Sequence, residues 1–417
     1  MLKSCTFASY SNIVTMIKDS DYKLLRDVFL RRLSATKTKF RRYLHTNIHW
    51  DARLIGIKGC RGVGKTTLIL QYIKQHFSNY DAVLYVSLDD IWFESHSIQD
   101  LIEYCYPRGV RYLFFDEVHR LPHWQTVMKN LYDNYPDMNI VYTGSCMLEL
   151  DAREGDLSRR QLMYTMQGLS FREFIELSEG IALPPIDLQD LLVRHNEVSM
   201  DIAQQLPIIA SFEKYLMYGY YPFFVSDKDG FDLRLRSVIR QVLESDLPAV
   251  ENISFETVRK VSKMLSVLAQ RVPQTPRMQE LYAQLNTSRE QGLKMLYLLD
   301  RSGLLALLSQ EAKSFKHLPK PDKIYLGDCN LMYAVSSKVD VGTIRETFFY
   351  NQLRAQHDVV LPPNGDFLVD GRYLFEVGGP SKDFSQIKDL PNSYLAIDGV
   401  EYGMGHRIPL WLFGFLY

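Results

Sequence analysis

The segment GCRGVGKT at 59–66 constrains the fold of this 417-residue chain more than any other feature. It fills every fixed position of the pattern G-x-x-x-x-G-K-[ST]. An apolar run, RLIGI at 53–57, precedes it, and a helical stretch, TTLILQYIKQHF at 66–77, follows. Glycines let the backbone curl so that successive N–H groups point inward, and the helix start adds a positive dipole end. The sequence therefore predicts a strand–loop–helix unit that binds phosphate, rather than a turn that binds nothing.

Two side chains of this loop have predicted roles in binding a nucleoside triphosphate. Lys65 is expected to reach the β- and γ-phosphates, and the Thr66 hydroxyl is expected to ligate Mg²⁺. The predicted cofactors are therefore ATP and Mg²⁺. The residues predicted to bind the nucleotide are Gly59, Cys60, Arg61, Gly62, Val63, Gly64, Lys65, Thr66 and Thr67.

Two acids follow the apolar run YLFF at 112–115. Acids at the carboxyl end of a buried strand lie where open α/β sheets bind ligands. Asp116 is therefore predicted to hold Mg²⁺, directly or through water, and Glu117 to orient and polarise the attacking water. The alternative is an acidic first turn of a helix, which the nearby phosphate loop disfavours. After the next apolar run, Thr143 and Ser145 are predicted to contact the γ-phosphate or the water, with an ordinary strand threonine as the alternative.

The first third of the chain alternates strand and helix patterns. Strand candidates lie at 53–57, 82–88, 111–115 and 139–144, with helical stretches between them. This alternation predicts a parallel sheet covered on both faces, and so an α/β fold of the P-loop NTPase type.

The rest of the chain has a different pattern. Residues 170–250 look helical, and three helical stretches follow near 256–270, 277–285 and 288–301. After about residue 320 the pattern turns β-rich.

Composition narrows the class of protein. A net charge of −1, with 46% hydrophobic and 23% charged residues, is typical of a globular protein and argues against strong nonspecific binding of nucleic acid. Five scattered cysteines without C-x-x-C spacing favour a reducing compartment, and no apolar run approaches the length of a membrane span. We therefore expect a cytoplasmic protein that does not bind a membrane. A basic cluster between 31 and 42 is interpreted as a solvated helix face, with contact to nucleic acid or a neighbouring subunit as the alternative.

Longer segments resemble a known family. The runs GCRGVGKTT, YLFFDEVHRLPHWQ and VYTGSCMLEL, followed by LSRRQLMYTMQGLSFREF, resemble AAA-type ATPases (AAA+/STAND-like) of bacteria and archaea. These are single chains with a C-terminal domain of unknown function, which DVGTIRETFFYNQL and DFLVDGRYLFEVGGPSK resemble in turn. The resemblance covers nearly the whole chain, but the biochemical role of the family is poorly defined.

The resemblance also implies a role for an arginine. The LSRRQ region of the family usually contains Gly-Arg, so Arg160 matches the arginine while Arg159 replaces the glycine. Such a guanidinium is a candidate finger or sensor for the γ-phosphate, because it can stabilise charge on the transferring group. The alternative is a surface arginine on a loop.

The three helical stretches at 256–301 resemble a winged helix. Its recognition helix, 288–301, would offer Arg289, Gln291 and Lys294 to a partner. A helix of this kind can enter a major groove, but its face here is of mixed charge, which favours packing over DNA contact.

The C-terminal segment resembles the D…E-x-K core of restriction-type nucleases through Asp366 and Glu376. In that core two carboxylates bind Mg²⁺ and a lysine supports the attacking water. Here Gly378 replaces the lysine, and Lys382 could substitute only if the chain bends back. A two-residue hairpin loop at Asp370-Gly371 would put the acids on opposite faces, and a three-residue loop would put them on the same face. We therefore expect an inactive nuclease-like domain that does not cleave DNA by itself.

These observations predict a P-loop NTPase parallel-sheet domain with a helical lid, a winged-helix-like module and a C-terminal α+β nuclease-like domain. The predicted boundaries are 1–45 for a helical lead-in, 46–170 for the ATPase core, 171–250 for the lid, 251–312 for the winged-helix-like module and 313–417 for the nuclease-like domain. The leading hypothesis is a regulatory or nucleic-acid-linked ATPase. The alternatives are an ATP-gated DNA nuclease and a nucleotide-binding switch with little turnover, with ATP, DNA, a protein or further copies of the chain as partners.

Overall fold

A computed structural model describes residues 17–145, 157–251, 253–270, 278–310, 320–336 and 339–417. The α-helices of these residues are α1 (Asp19–Ala35), α2 (Leu44–Asn47), α3 (Lys65–His76), α4 (Ile98–Cys105), α5 (Trp124–Asn134), α6 (Phe171–Glu179), α7 (Leu188–Ala203), α8 (Ile208–Lys214), α9 (Phe231–Gln241), α10 (Leu247–Glu251), α11 (Phe255–Ala269), α12 (Met278–Gln284), α13 (Arg289–Arg301), α14 (Cys329–Val335) and α15 (Val341–Leu353). The strands are β1 (Leu54–Gly59), β2 (Val83–Ser87), β3 (Tyr112–Asp116), β4 (Asn139–Ser145), β5 (Leu162–Met166), β6 (Leu305–Leu308), β7 (Lys323–Leu326), β8 (Val359–Val360), β9 (Phe367–Val369), β10 (Tyr373–Gly378), β11 (Ser393–Ile397) and β12 (Arg407–Pro409).

The N-terminal sheet is parallel throughout and has the strand order β2-β3-β4-β1-β5. Separate hydrophobic clusters cover its two faces: α1 and α3 contribute to one, and α4 and α5 contribute to the other. Strand β4 lies between β1 and β3, and Gly59 at the end of β1 is in register with Ser145. The phosphate loop after β1, the acids after β3 and the end of β4 therefore meet at one edge of the sheet.

Strand β5 was not predicted from the sequence. It extends the sheet beyond β1, with Ile55 opposite Leu162 and Gly59 opposite Met166. Most of its side chains are only partly buried or exposed, because it is an edge strand. It therefore lacks the continuous apolar run that marks the buried strands.

The helical region after the sheet contains two π-helical turns, Tyr215–Gly219 and Val242–Asp246. Three helices, α11 to α13, begin and end within about a residue of their predicted positions. The antiparallel pair β6–β7 follows them. Three helices followed by a two-stranded sheet are compatible with the predicted winged helix, which stays a prediction.

The C-terminal region is less β-rich than the sequence predicted, because α14 and α15 precede its strands. Its sheet has the order β12-β11-β10-β9-β8, with antiparallel pairs at β8–β9–β10 and parallel pairs at β10–β11–β12. One continuous hydrophobic cluster runs from Leu169 to Leu416. The predicted boundaries at 250 and 312 thus fall within one shared core, and the division into domains stays a prediction.

One arginine of the basic cluster, Arg42, does not belong to a solvated face. Arg42 is 5% exposed, and its Nε lies 3.1 Å from both carboxylate oxygens of the buried Glu173. It also donates to the carbonyl of Val63 in the phosphate loop. Arg32 donates to the hydroxyl of Tyr85 at 2.9 Å. The interpretation as a solvated face was therefore wrong for Arg42, whereas Arg32 is exposed.

Candidate functional site

The phosphate loop has the curled backbone that its glycines predict. Gly62 and Gly64 have φ angles of +84° and +102°, which L side chains rarely adopt. Helix α3 starts directly after them at Lys65. The Lys65 ammonium is turned back into the loop, where it donates to the carbonyls of Gly59 at 2.8 Å and Cys60 at 3.1 Å. The curled backbone and the Lys65 ammonium therefore lie together at the start of α3.

Asp116 is buried and accepts hydrogen bonds from three hydroxyls. Thr66 Oγ1 donates to Asp116 Oδ2 at 2.6 Å, Tyr85 donates to the same oxygen at 2.9 Å, and Thr143 donates to Oδ1. Burial, and then the charge of Asp116, raise the pKa of Tyr85 well above its ordinary value, so the phenol remains a donor. Thr66 and Asp116, the two predicted magnesium ligands, are thus adjacent. Hydroxyl and carboxylate oxygens are the donors that Mg²⁺ prefers, so the pair fits this ion.

Glu117 follows Asp116 in a left-handed backbone conformation, with φ 57° and ψ 46°. Its N–H donates to Thr143 Oγ1 at 3.2 Å, and its Oε2 lies 3.3 Å from His119 Nδ1. Left-handed backbone is uncommon for a residue other than glycine and costs free energy unless its surroundings enforce it. Glu117 thus leaves the line of β3 directly after Asp116.

Thr143 and Ser145 lie at this edge, as the strand pattern predicts. Thr143 is fully buried, and its hydroxyl binds both Asp116 and the backbone of Glu117. It therefore positions the two acids, whereas direct contact with phosphate or water stays a prediction. The backbone N–H of Ser145 donates to His119 Nδ1 at 3.3 Å.

Arg160 does not lie at the phosphate edge of its own sheet. It precedes β5, whose first residue is opposite Ile55, so it sits at the level where β1 begins. Its guanidinium binds Asp133 near the end of α5, with Nε at 2.9 Å and Nη2 at 3.1 Å from the carboxylate. The register from Ile55 to Gly59 alone spans roughly 13 Å. Arg160 therefore lies at the other end of the strands from the phosphate loop of its own chain, and its action on phosphates, from its own subunit or a neighbour, stays a prediction.

Sequence reasoning missed an ion cluster beside the loop. Arg61, predicted to bind the nucleotide, directs its guanidinium to Asp246 at 3.1 Å, and Arg120 binds the same carboxylate at 2.7 Å. Burial raises the pKa of Asp246, but the proximity of His119 and the charges of Arg61 and Arg120 outweigh it and leave the pKa below its ordinary value. No sequence signal marked Asp246, because it lies 185 residues beyond Arg61 along the chain.

The helical region also packs directly against the phosphate loop. A Cβ added at Gly62 would lie 3.1 Å from the ring of Phe223, and one at Gly64 would lie 3.7 Å from Pro222. The neighbouring Tyr221 donates its hydroxyl to Asp328 at 2.8 Å, in the segment before α14. The loop, the helical region and the C-terminal core are therefore in contact through one aromatic segment.

The C-terminal acids converge with a lysine. The hairpin between β9 and β10 pairs Val369 with Tyr373, so its loop has three residues, the case expected to keep the acids on one face. Lys382 Nζ lies 2.9 Å from Glu376 Oε1. Burial lowers the pKa of Lys382, but the hydrogen bond to Glu376 and the charges of Glu376 and Asp366 raise it overall. Both acids therefore raise the pKa of Lys382.

The space left by the missing lysine at position 378 is filled by Lys382. A Cβ added at Gly378 would lie 2.7 Å from the Cβ and the Cγ of Lys382. Glu376 is 2% exposed, and its Oε2 has no hydrogen-bond partner among the described residues. Asp366 accepts from the N–H of Val377 at 3.0 Å and lies 3.5 Å from Lys323 Nζ. Within the described ranges, no group of three His, Cys, Asp or Glu side chains is arranged to hold a metal ion.

Comparisons with known proteins agree with the site at the phosphate loop. The five-stranded parallel sheet with its phosphate loop matches a P-loop NTPase α/β fold, and residues 51–175 match the family model of an AAA domain. Residues 209–341 match a domain of unknown function, DUF8612, which crosses two of the predicted boundaries. Residues 51–175 are thus similar to AAA domains.

One relative is an uncharacterized protein of Methanocaldococcus jannaschii, 26% identical over 307 residues. The match covers 69% of this chain and 63% of the relative, so the chain spans less than two thirds of that protein.

Two solved structures show a distant likeness. One is the Aeropyrum pernix ORC1 protein in complex with DNA, at 11% identity and a TM-score of 0.31, covering 78% of this chain and 93% of that one. The other is AMPPCP-bound DnaA from Aquifex aeolicus, at 15% identity and a TM-score of 0.26, covering 70% and 93%. Scores this low carry no argument about function. Among the described helices, none combines the length and apolar character that crossing a membrane requires.

Proposed function

We propose that this protein binds ATP with Mg²⁺ at the edge formed by β1, β3 and β4, and hydrolyses it. The observation that carries the proposal is the hydrogen-bond network joining Thr66, Asp116, Thr143 and Glu117. It brings the predicted magnesium ligands within 2.6 Å of each other and fixes the backbone of the predicted water-orienting acid from the same buried threonine.

The residues of the chain have separate tasks in this reaction. Backbone N–H groups of the loop and the Lys65 ammonium bind the phosphates. Thr66 and Asp116 would hold Mg²⁺, which when bound supplies positive charge against the phosphate oxygens. Glu117 orients the attacking water, accepts a hydrogen bond from it and takes its proton as the phosphoryl group transfers. Thr143 keeps the two acids in register.

Nucleotide state is coupled to the rest of the chain in this proposal. Support comes from Phe223 and Pro222, which pack on the loop glycines, and from the Tyr221–Asp328 hydrogen bond. A movement of the phosphate loop would therefore shift the helices packed on it and the C-terminal core. A regulatory or nucleic-acid-linked role is compatible with this coupling.

The test of nucleotide binding uses Lys65→Ala, which should remove measurable ATP binding, because the phosphates lose their principal cation. Binding is measured by titration with a fluorescent ATP analogue, with and without Mg²⁺. The matched control is Lys74→Ala on the same helix, whose ammonium binds backbone carbonyls of 34 and 36 and should leave ATP affinity unchanged. Equal ATP affinity in the wild type and in Lys65→Ala contradicts the proposal.

A second candidate function is metal-dependent cleavage of a phosphodiester at Asp366, Glu376 and Lys382. It is favoured by one observation, the return of Lys382 to within 2.9 Å of Glu376, in the space that Gly378 leaves open. Mg²⁺ is often bound by one or two carboxylates together with several waters, so two acids suffice. This observation weakens the expectation of an inactive domain, which rested on the missing lysine and on a hairpin register that separates the acids.

The two interpretations of the C-terminal site differ in a cleavage assay. The purified protein is incubated with linear, circular and single-stranded DNA, with Mg²⁺ or Mn²⁺ and with ATP. Cleavage that is lost in Asp366→Asn and Glu376→Gln, and kept in the exposed control Asp383→Asn, supports the nuclease. Intact DNA under all these conditions rejects it and keeps the inactive interpretation.

A further inference from the structure

Asp246 joins the helical region to both segments of the ATP site. It is the last residue of the π-helical turn Val242–Asp246, and only 2% of its surface is exposed. Its carboxylate lies 3.1 Å from Arg61 Nη1 of the phosphate loop and 2.7 Å from Arg120 Nη2, three residues after Glu117. Single π-helical turns are rare and occur frequently at functional sites. This turn directs a buried anion at the nucleotide site.

His119 lies between this carboxylate and Glu117. Its side chain is 1% exposed, and its Nε2 is 3.9 Å from Asp246 Oδ1. This nitrogen has no hydrogen-bond partner within the part of the chain that the structure describes. At the other side of the ring, Nδ1 has two neighbours: the N–H of Ser145 at 3.3 Å and Glu117 Oε2 at 3.3 Å.

The tautomer of His119 decides whether its Nδ1 accepts a hydrogen bond from Ser145 or donates one to Glu117. When Nδ1 accepts from Ser145, the ring hydrogen is on Nε2 and points toward the Asp246 carboxylate. When Nδ1 instead donates to Glu117, a neutral ring presents the lone pair of Nε2 to that carboxylate, which is unfavourable. The group beside one ring nitrogen thus fixes the state of the other. An anion at position 246 therefore favours the tautomer that leaves the Glu117 carboxylate uncommitted.

We propose that Asp246 is a positioning residue for ATP hydrolysis, which acts through His119 to keep the Glu117 carboxylate available to the attacking water. This inference rests on the proposed ATPase function. It also gives the helical region control of the reaction, because a movement of the π-helical turn would withdraw the anion from His119, Arg61 and Arg120 together.

The informative variant is Asp246→Asn, which keeps the shape of the side chain. Its amide can donate to His119 Nε2, which leaves the ring hydrogen on Nδ1 and commits it to Glu117. A carboxylate that accepts this hydrogen bond is a weaker base. We expect kcat for ATP to fall by about tenfold or more, a part of the roughly 10²–10⁴-fold that a positioned base contributes.

Two measurements separate this role from a merely structural one. The number of ATP sites per chain and the ATP affinity should stay within about threefold of wild type, whereas a misfolded fraction would lower the number of sites. In a His119→Gln background, Asp246→Asn should change kcat by less than about twofold, because its effect passes through the ring. The matched control is Asp232→Asn on the preceding helix, which breaks an exposed ion pair with Arg236 and should leave kcat unchanged.

The outcomes are distinct for the inference and for the function on which it rests. If the wild type binds ATP but does not hydrolyse it, the ATPase proposal itself fails. If the wild type hydrolyses ATP and Asp246→Asn keeps the wild-type kcat, the inference is wrong. It is also wrong if Asp246→Asn lowers kcat equally with and without His119.

Discussion

Thr143 is the residue on which both acids of the nucleotide site depend. Its hydroxyl donates to Asp116 and accepts the N–H of Glu117 in a fully buried setting. Removing the hydroxyl would take this partner from Asp116 Oδ1 and from the N–H of Glu117, while Asp116 Oδ2 keeps Thr66 and Tyr85. An unsatisfied buried polar group costs about 1–3 kcal/mol. The threonine therefore contributes to stability and to the geometry of the site at the same time.

Thr143→Val should lower both the free energy of unfolding and kcat, while ATP affinity changes less, since the loop that binds the phosphates is intact. The expected loss of stability is about 1–3 kcal/mol, measured by denaturant unfolding. Thr143→Ser keeps a hydroxyl at the same position and should restore most of kcat. Full turnover in Thr143→Val would show that the hydroxyl does not position the acids.

At the scale of single elements, the sequence predicted what local patterns determine. Strands β1 and β3, the phosphate loop and helix α3 follow from apolar runs, glycines and helical periodicity, and Asp116 and Glu117 follow from their place at a strand end. Strand β5 was not predicted because it is a partly exposed edge strand. Helix α15 was not predicted because most of its side chains are buried on all sides. The sequence therefore shows no single apolar stripe at helical spacing.

The residues missed around the site share one physical reason. Arg42 and Asp246 acquire their roles from contacts that only the folded chain creates, across 131 and 185 residues respectively. A sequence pattern can mark a loop, but it cannot tell which distant carboxylate will accept a given arginine. The return of Lys382 to Glu376 depended on a chain bend that spacing alone left open.

The Asp328 carboxylate caps the start of α14 and accepts a hydrogen bond from the Tyr221 hydroxyl. Burial raises its pKa to about 6, although the hydrogen bond from Tyr221 lowers it. The ordinary value in an unfolded chain is about 3.9, so the folded state holds its proton over a range where the unfolded state has lost it. Its contribution to stability is therefore present below about pH 4, falls as the pH rises, and is lost above about pH 6.

The free energy of unfolding is measured at several pH values for wild type and Asp328→Asn. Relative to the variant, the wild type should lose about 3 kcal/mol between pH 4 and pH 7, from a shift of about two pKa units. The matched control is Asp340→Asn at the cap of α15, where hydrogen bonds from Thr343 lower the pKa, so the pH dependence should have the opposite sign. Parallel curves for the wild type and Asp328→Asn would contradict the assignment.

At the scale of the whole molecule, the position of Arg160 raises the question of a neighbouring subunit. Arg160 lies at the end of the sheet away from the phosphate loop of its own chain, and its exposed ion pair with Asp133 contributes at most about 1 kcal/mol. We propose that a second copy of the chain presents Arg160 to the site.

Arg160→Ala should lower turnover while ATP binding survives, and wild-type activity per subunit should rise with protein concentration. The neighbouring Arg159→Ala is the control, because that side chain is exposed. Wild-type turnover in Arg160→Ala, or activity per subunit that does not depend on concentration, would reduce Arg160 to a surface arginine.

In the proposed reaction, Glu117 activates water for hydrolysis of the ATP bound at the phosphate loop. The most direct test is single-turnover hydrolysis of radiolabelled ATP with Mg²⁺ by wild type and Glu117→Gln, with the bound nucleotide counted in the same samples. Wild type should convert its bound ATP to ADP, whereas Glu117→Gln should bind an equal amount and leave it as ATP. Hydrolysis by Glu117→Gln at the wild-type rate would contradict this role of Glu117.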